Sequence, residues 1–452
     1  MTGKRKRKLA MPDTLIIVAS VVLLVAILSW IIPSGTYDYQ EMNINGRIRN
    51  VAIDGTYHTI DKSEVTTTGF LGFFSVLYRG CVEAADVIFM ILCCCGTFGV
   101  VVKTGAFHAG IGTILKKLKG KEILLVPIIM MIFGLGGSVF GMASEFYGFY
   151  PLIVGLGVAL GYDAMFGFAI IAVGEFVGFM GATLNPYSVG IAQTISGVEL
   201  YSGTGYRAIC FVIFMAISII YVMVYGRKIK KNPGASVVFG EKNIHAFDRD
   251  ELNEYSFTLK DGLVLLDVLV VLVVLMLGLI KWGWDFPQLC GLFLLMSMIA
   301  AAICKWSPNK WCSEFIDSAK TAMWGCILTG IAKAITVVMQ DAQIMDTVIY
   351  GLSNVLKNAP HAVSAQVMLV VQTLINFFIP SATGQASATM PIMAQLADII
   401  GVSRQTAVLA FQFGDGLSNI FWPTADIVII CGLGGISLQK WYKWFTPLFL
   451  IL

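Results

Sequence analysis

Apolar stretches of close to 20 residues recur along the whole chain, and they limit the possible folds more than any other feature. A helix of about 20 apolar residues is long enough to cross the hydrocarbon core of a bilayer. The clearest stretches lie at 13–32, 84–104, 206–225, 262–280 and 287–304. Hydrophobic residues make up 57% of the sequence and charged residues only 13%, against roughly 25% charged residues in soluble domains. The sequence therefore predicts an all-α polytopic membrane protein. It excludes a soluble enzyme, a nucleic-acid-binding protein and a secreted disulfide scaffold.

Basic residues at the ends of these stretches predict the orientation of the chain. Residues 4–8 read KRKRK and precede the first stretch, and such clusters stay on the cytoplasmic side. No small-residue cleavage site follows, so the first helix is expected to remain in the protein. Lysine-rich ends at 116–121 and 227–231 return the chain to the cytoplasm. We expect an inner (cytoplasmic) membrane protein with a cytoplasmic N-terminus and an external C-terminus.

The order of the segments predicts two repeats of opposite orientation, at 84–227 and 262–452. Each repeat is expected to contain a re-entrant helical hairpin, at about 122–161 and about 363–401, and a broken transmembrane helix. The remaining segments are the basic tail with the first helix (1–33), an external loop with an interfacial segment (34–83) and a cytoplasmic linker (228–261).

The tips of the two predicted hairpins share a motif. Four small residues of the first tip recur at the same spacing in the second tip, 243 positions further along (from 138 to 381): Ser138, Gly141, Ala143 and Ser144, then Ser381, Gly384, Ala386 and Ser387. The broken helices carry Asn185-Pro186 and Asn419. Backbone groups at a helix break persist in a membrane only where protein, water or substrate meets them, so paired breaks are typical of a transport site near the midplane. The alternative is that the small residues only allow close helix packing.

The second half-helix of each hairpin is expected to point its N-terminus at the site, where its dipole favours a carboxylate. Ser144 and Ser387 would cap these ends or donate a hydroxyl. The candidate substrate-binding residues are Ser138, Gly141, Ser144, Thr183, Asn185, Ser381, Gly384, Ser387, Ser418 and Asn419.

Carboxylates within the predicted membrane segments form a second group of candidates, because each costs roughly 2.5–3.5 kcal/mol on insertion scales. The tips and breaks contain no Lys or Arg, so Glu145, Glu175 and Asp415 are candidate partners of a cation or a substrate ammonium. Glu175 also fits a structural role, and Asp398 and Asp426 are interpreted as ordinary helix-end residues. We expect no cofactor and no metal beyond a monovalent cation, with Na⁺ or H⁺ as the coupling ion.

Four segments form a recognisable set: Gly181–Pro186, Pro380–Ala386, Met390–Ala394 and Gly414–Gly416. They resemble the YfcC family, which is related to the DcuC-type anaerobic dicarboxylate carriers of the ion transporter superfamily. The resemblance implies paired inverted repeats, often in a homodimer, with a transport part that moves against a scaffold in an elevator-like way. Members are described as carriers of dicarboxylates or antiporters of basic amino acids.

The function that these observations favour is secondary active transport of a small carboxylate-bearing metabolite, an amino acid or a dicarboxylate, by exchange or cation coupling. The expected partners are the lipid bilayer and a small-molecule substrate, without nucleic acid. The alternatives are a membrane-embedded enzyme, for which no nucleophile–His pair or metal cluster is evident, and an ion channel or ion antiporter.

Overall fold

A computed structural model describes residues 13–44, 47–118, 122–241, 245, 257–357 and 363–452. Over these residues the protein is almost entirely helical, which confirms the predicted all-α architecture. The helices are α1 (Thr14–Ile31), α2 (Phe70–Glu83), α3 (Ala85–Lys103), α4 (Ala106–Leu118), α5 (Leu125–Leu135), α6 (Tyr150–Ala159), α7 (Ala164–Gly181), α8 (Val189–Ile195), α9 (Thr204–Lys231), α10 (Leu259–Lys281), α11 (Phe286–Ile303), α12 (Pro308–Lys320), α13 (Met323–Asp341), α14 (Met345–Lys357), α15 (Ser364–Phe378), α16 (Ala382–Ile399), α17 (Arg404–Ser418), α18 (Asp426–Gly434) and α19 (Leu438–Ile451).

Seven of the described helices are long and apolar enough to cross a membrane: α1, α3, α7, α9, α10, α11 and α13. Local signals set where several of them begin. The Asp13 side chain accepts the backbone N–H of Leu15 at the start of α1. Capping boxes, formed by Thr258 with Asp261 and by Asp285 with Gln288, open α10 and α11. The basic residues at 4–8 and positions 242–244 and 246–256 of the predicted linker lie outside the described residues.

Helices α11–α19 follow the same order as α1–α9, with α10 between the two sets. Some counterparts match in length, since α3 and α13 both have 19 residues and α4 and α14 both have 13, whereas α6 has 10 and α16 has 18. Helices of each half pack on the other half in the same pattern. Helices α1 and α2 pack on α13, and their counterparts α11 and α12 pack on α3, which is the counterpart of α13. This exchange indicates an internal repeat. The opposite membrane orientation of the two halves and the domain boundaries stay predictions.

The register of this repeat corrects the motif pairing at the hairpin tips. Before the tips, α4 begins at 106 and α14 at 345, which is 239 positions later; after the tips, α7 begins at 164 and α17 at 404, which is 240 later. The pairing of Ser138 with Ser381 at 243 is therefore out of register by three to four residues. The first hairpin turns through a π-helical turn (Gly136–Phe140) and a 3-10 segment (Ser144–Phe149), whereas only 379–381 join α15 to α16.

The segment between α1 and α2 forms two small antiparallel sheets. Strand β1 (Ser34–Thr36) pairs with β4 (His58–Ile60), and β2 (Tyr39–Ile44) pairs with β3 (Arg47–Ala52). Strand β3 packs on α16 and β1 packs on α14. Asp346 at the start of α14 accepts the Tyr37 backbone N–H (3.0 Å) and the Tyr39 hydroxyl (2.8 Å). The sheets are thus fixed to helices of the second half.

Candidate functional site

The two helix breaks lie side by side in the buried centre of the protein. Helix α7 ends at Gly181 and α17 ends at Ser418, and both helices are packed against each other. A Cβ on Gly416 would lie 2.5 Å from the Met180 Cα, so only glycine allows this approach. The Gln412 side-chain amide donates to the Phe179 carbonyl (2.8 Å). These contacts hold the two broken ends against each other.

Asn185 organises the first break from within. Its Oδ1 accepts the backbone N–H groups of Tyr187 (2.9 Å) and Ser188 (3.2 Å), and its Nδ2 donates to the Gly137 carbonyl (3.5 Å). Gly141 has a left-handed backbone (φ 68°), and a Cβ there would lie 2.4 Å from the Asn185 Oδ1. The buried Asn185 side chain is therefore committed to the tip of the first hairpin.

Ser138 joins the first arm of this hairpin to the same break. The hydroxyls of Ser138 and Thr183 are 3.1 Å apart, and the Thr183 backbone N–H donates to the Ser138 Oγ (3.1 Å). The Leu184 N–H donates to the Ser138 carbonyl (3.2 Å). Ser138 thus joins Thr183 and Asn185, more than 40 positions further along the chain, in one cluster.

A buried arginine completes the first break, and the sequence analysis missed it. Arg207 of α9 is 1% exposed, and its guanidinium donates to the carbonyls of Ala182 (2.9 Å), Thr183 (3.1 Å) and Ser202 (2.8 Å). The break itself contains no Lys or Arg, and Arg207 reaches it from α9, where in sequence it looks like the polar start of an apolar span. Its hydrogen bonds go to carbonyls and to the Thr204 hydroxyl, so it is not a partner of the candidate carboxylates.

The second break is held by Asn376, another residue that carried no sequence signal. Its Nδ2 donates to the Ser418 Oγ (2.7 Å), the Asn419 Oδ1 (2.8 Å) and the Asp415 carbonyl (3.2 Å). Asn376 lies on α15, the first arm of the second hairpin. Each hairpin therefore binds the break of its own half through its first arm.

Asp415 lies in the wall of this second break with its charge unmatched. It is fully buried beside the Asn419 side chain, yet no hydrogen bond of regular geometry reaches either carboxylate oxygen from the described residues. The side-chain oxygens of Asn376, Gln385 and Gln412 also accept no hydrogen bond there. Acceptor oxygens without donors are costly when buried. Their concentration along α15, α16 and α17 suits a cation or a ligand group that carries hydrogen-bond donors.

The second arm of each hairpin reaches the break of the other half. At the tip of the second hairpin, the Thr383 hydroxyl donates to the Tyr187 carbonyl of the first break (3.0 Å). In the first hairpin, the Tyr147 hydroxyl donates to Asp426 just after the second break (2.6 Å). The two hairpins and two breaks consequently form one connected centre.

The residues at the tips differ from the predicted arrangement. Ser381, not Ser387, caps α16, because its Oγ accepts the Gly384 N–H (3.3 Å) while the Ser387 hydroxyl donates to Thr383 within the helix (2.9 Å). Ser144 only opens the 3-10 segment, and α6 begins at Tyr150. The expectation that Ser144 and Ser387 cap helix ends is therefore wrong. Both serines are half-buried, and Ser381 is exposed.

The other carboxylates divide by environment. Glu145 is 8% exposed and accepts the Ala143 N–H at its own tip (3.0 Å). Glu175 is fully buried and accepts the Tyr150 hydroxyl (2.8 Å). Asp426 lies in the first turn of α18, as expected of a helix-end residue, but it also accepts a hydrogen bond from the Tyr147 hydroxyl. Asp398 is exposed and pairs with Arg404 (2.7 Å).

Apolar spans, two short-helix hairpins and two buried helix breaks define a polytopic membrane protein of the secondary-transporter class. The sequence model of the family "DcuC: C4-dicarboxylate anaerobic carrier" matches residues 11–452. The chain belongs to this family and is a membrane transporter.

One curated relative agrees with this assignment. A relative from Escherichia coli strain K12, named "Putative basic amino acid antiporter YfcC", is 33% identical over 98% of this chain and 94% of its own length. The predicted resemblance to the YfcC family is thereby confirmed. Among solved structures, the Alcanivorax borkumensis YdaH transporter is similar over 97% of this chain and 96% of its own, with a TM-score of 0.44 and 14% identity. MtrF of Neisseria gonorrhoeae, from a class of antimetabolite efflux pumps, is similar over 98% of this chain and 94% of its own, with a TM-score of 0.44 and 15% identity.

Proposed function

We propose that the protein is a secondary active transporter that carries a small carboxylate-bearing metabolite across the cytoplasmic membrane. The substrate would be an amino acid or a C4-dicarboxylate, moved by exchange or by cation coupling through alternating access. The observation that carries this proposal is Asp415, a fully buried carboxylate whose oxygens accept no hydrogen bond from the described residues. A charge of this kind inside a membrane protein is a functional site by default.

In this proposal the residues have two kinds of role. Asp415 at the second break and Glu145 at the first tip would attract a substrate ammonium or a coupling cation. The accessible tip residues Ser144, Ser381, Gly384 and Ser387 would meet the substrate carboxylate. The remaining candidates are already bonded to one another and would hold the breaks in shape: Ser138, Gly141, Thr183, Asn185, Ser418 and Asn419.

Two substrate classes remain open under this proposal, and the chemistry of the second break separates them. A basic amino acid would place its cationic groups on Asp415. A C4-dicarboxylate would need a cation at Asp415 before its two charges could enter. The relatives support both classes, because the family is described by C4-dicarboxylates and the Escherichia coli relative by basic amino acids. An elevator-like movement and a homodimer complete the proposed mechanism.

The test is counterflow into proteoliposomes, with labelled arginine and labelled succinate, each with and without sodium. We expect the wild-type protein to exchange one of the two, and Asp415→Asn to lower that exchange at least about tenfold, which corresponds to 1.4 kcal/mol. Asp317→Asn is the matched control, because Asp317 is an exposed residue paired with Lys320. Full exchange by Asp415→Asn would remove Asp415 from the mechanism. Sodium dependence of succinate exchange would favour a cation at Asp415, whereas sodium-independent arginine exchange would favour the substrate itself.

A further inference from the structure

Glu175 lies at the most enclosed position of any carboxylate in a described transmembrane helix. Every residue of α7 from Ala164 to Gly181 is buried, so neither lipid nor bulk water reaches its side chains. One Glu175 oxygen, Oε2, accepts the Tyr150 hydroxyl (2.8 Å). The other oxygen, Oε1, has no hydrogen-bond partner among the described residues. The carboxyl group thus has one supported oxygen and one free oxygen.

The surroundings of Glu175 are acidic. Asp426 and Glu145 both act electrostatically on Glu175, and Asp426 also acts on Asp415. Tyr147, three residues before Tyr150 in the 3-10 segment that leads into α6, donates to Asp426. Two of these carboxylates, Glu175 on α7 and Asp426 on α18, each accept a tyrosine hydroxyl from the segment that leads into α6.

The helices packed on α7 direct no positive charge at this group within the described residues, because Arg404 at the start of α17 pairs with Asp398 and donates to the Ser196 carbonyl. Helix α5 and the π-helical turn contain no titratable side chain. On α9, Arg207 is bonded to the carbonyls of the first break, and Tyr225 donates to Asp163 at the opposite end of α7. No Lys or Arg acts on Glu175 or on Asp426. A fully buried carboxylate such as Glu175, with no basic partner among the described residues, is costly to keep ionised.

The neutralising ion is better explained as a proton than as a metal ion. No group of three or more His, Cys, Asp or Glu side chains in the described residues could hold a metal. The two tyrosine hydroxyls already point their hydrogens at the carboxylates, whereas a metal ion would require oxygen lone pairs. Asp426 accepts a hydrogen bond from the Tyr147 hydroxyl and lies at the N-terminal end of the α18 dipole, and both interactions favour its ionised form. Glu175, in the middle of a helix, has neither the dipole nor a second donor.

We propose that Glu175 holds the coupling proton of the transport cycle, bound at its free Oε1. Protonation forms an O–H bond at Oε1 and leaves a neutral carboxylic acid that still accepts the Tyr150 hydroxyl at Oε2. A substrate carboxylate at the breaks adds negative charge next to Asp415 and Asp426 and thereby raises the proton affinity of Glu175. Because linkage is reciprocal, the bound proton raises the affinity for the anion by the same factor. The coupling role rests on the proposed transport function, whereas the bound proton can be detected without any substrate.

Infrared spectroscopy of the purified protein at neutral pH tests for the proton directly. A protonated carboxylic acid has a C=O stretching band separate from the bands of ionised carboxylates, and the band shifts in D₂O. We expect this band in the wild-type protein, its loss in Glu175→Gln and its shift to higher frequency in Tyr150→Phe, which removes the hydrogen bond to Oε2. Glu64→Gln, at an exposed loop position, is the matched control. An unchanged band in Glu175→Gln would overturn the proposal.

Transport measurements test the coupling role separately. Proteoliposomes loaded with a pH-sensitive dye report protons, and labelled succinate or arginine reports substrate, so that the proton-to-substrate ratio can be measured. We expect Glu175→Gln to reduce this ratio to background, whatever its remaining rate of substrate movement. A wild-type ratio in Glu175→Gln would overturn the coupling role. Tyr150→Phe, which keeps the carboxyl group, is expected to retain the ratio.

Discussion

The two helix breaks have the same architecture but differ in how their polar groups are satisfied. At the first break, Arg207 donates hydrogen bonds to three carbonyls. The Asn185 side chain accepts a backbone N–H at its oxygen and donates to a backbone carbonyl from its nitrogen. At the second break, the two hydrogens of the Asn376 amide are shared among three acceptors, but its own oxygen and both oxygens of Asp415 accept nothing from the described residues. The first break leaves one hydroxyl, that of Ser188, without a partner among the described residues, whereas the second leaves a buried carboxylate without a donor.

This difference teaches that a repeat of architecture does not make two equivalent sites. A break in which every freed group has an internal partner behaves as part of the scaffold, because it gains nothing from a ligand. A break with surplus acceptors is stabilised when a cation or a donor-bearing substrate arrives. We therefore expect substitutions at the first break to act mainly on stability and substitutions at the second to act mainly on transport.

The largest effect on stability is expected from Arg207→Met. The change leaves the buried Ala182 carbonyl without a donor, at roughly 1–3 kcal/mol for an unsatisfied group. It also removes one donor each from the Thr183 and Ser202 carbonyls, which keep the Thr204 hydroxyl and the Gln193 and Gln405 amides. We expect a clear loss of folded protein, seen as a lower Tm in detergent and a lower monodisperse peak in size-exclusion chromatography. Arg207→Lys should give an intermediate Tm, because an ammonium cannot reproduce the fixed fork of a guanidinium. A wild-type Tm in Arg207→Met would show that the first break is not held by this residue.

The opposite behaviour is expected from Asp415→Asn. Removing a buried charge that accepts no hydrogen bond saves part of the roughly 2.5–3.5 kcal/mol cost of placing it in the membrane. The Tm of Asp415→Asn should therefore equal or exceed that of the wild type, while its counterflow is lost. A clear fall in Tm would mean that Asp415 supports the fold, and it would end the contrast between the two breaks.

Asn376→Ala is an intermediate case, because we expect it to affect both stability and transport. The substitution removes the donor for Ser418 and Asn419, and we expect it to cost about 1–3 kcal/mol in the free energy of unfolding. It should also raise the KM for substrate, because Asn376 sets the position of the second break. The matched variant Ser138→Ala at the first break should lower the Tm by less and leave KM unchanged. Equal changes of KM in both variants would contradict the division of roles.

The sequence predicts the helical membrane architecture well, because span length and apolar composition are local properties. The breaks at Asn185 and Asn419 are also local, since Pro186 and the clustered glycines mark them. Arg207 and Asn376 could not be predicted, because their roles depend on which carbonyl or amide lies opposite them in space. Neither residue stands in a motif, and in sequence each resembles an ordinary polar residue in an apolar helix.

The tips show a second limit of sequence reasoning. Small residues are frequent at turns. The two hairpin tips therefore share Ser and Gly at equal spacings although their backbones are built differently. The three- to four-residue slip only became visible from the helices on either side. A π-helical turn followed by a 3-10 segment has no sequence pattern that separates it from a plain loop. The spacing match therefore paired Ser138, which is buried, with Ser381, which is exposed.

The smallest expected effect tests this corrected register at the second tip. Ser381→Ala removes the N-cap of α16 and should cost about 1 kcal/mol. Ser387→Ala removes only a hydroxyl that is bonded to the carbonyl four residues earlier, so its Tm should stay close to that of the wild type. The measurement is the Tm of the two purified variants side by side. If Ser387→Ala were the less stable of the two, the capping role would return to Ser387 and the pairing at 243 positions would regain support.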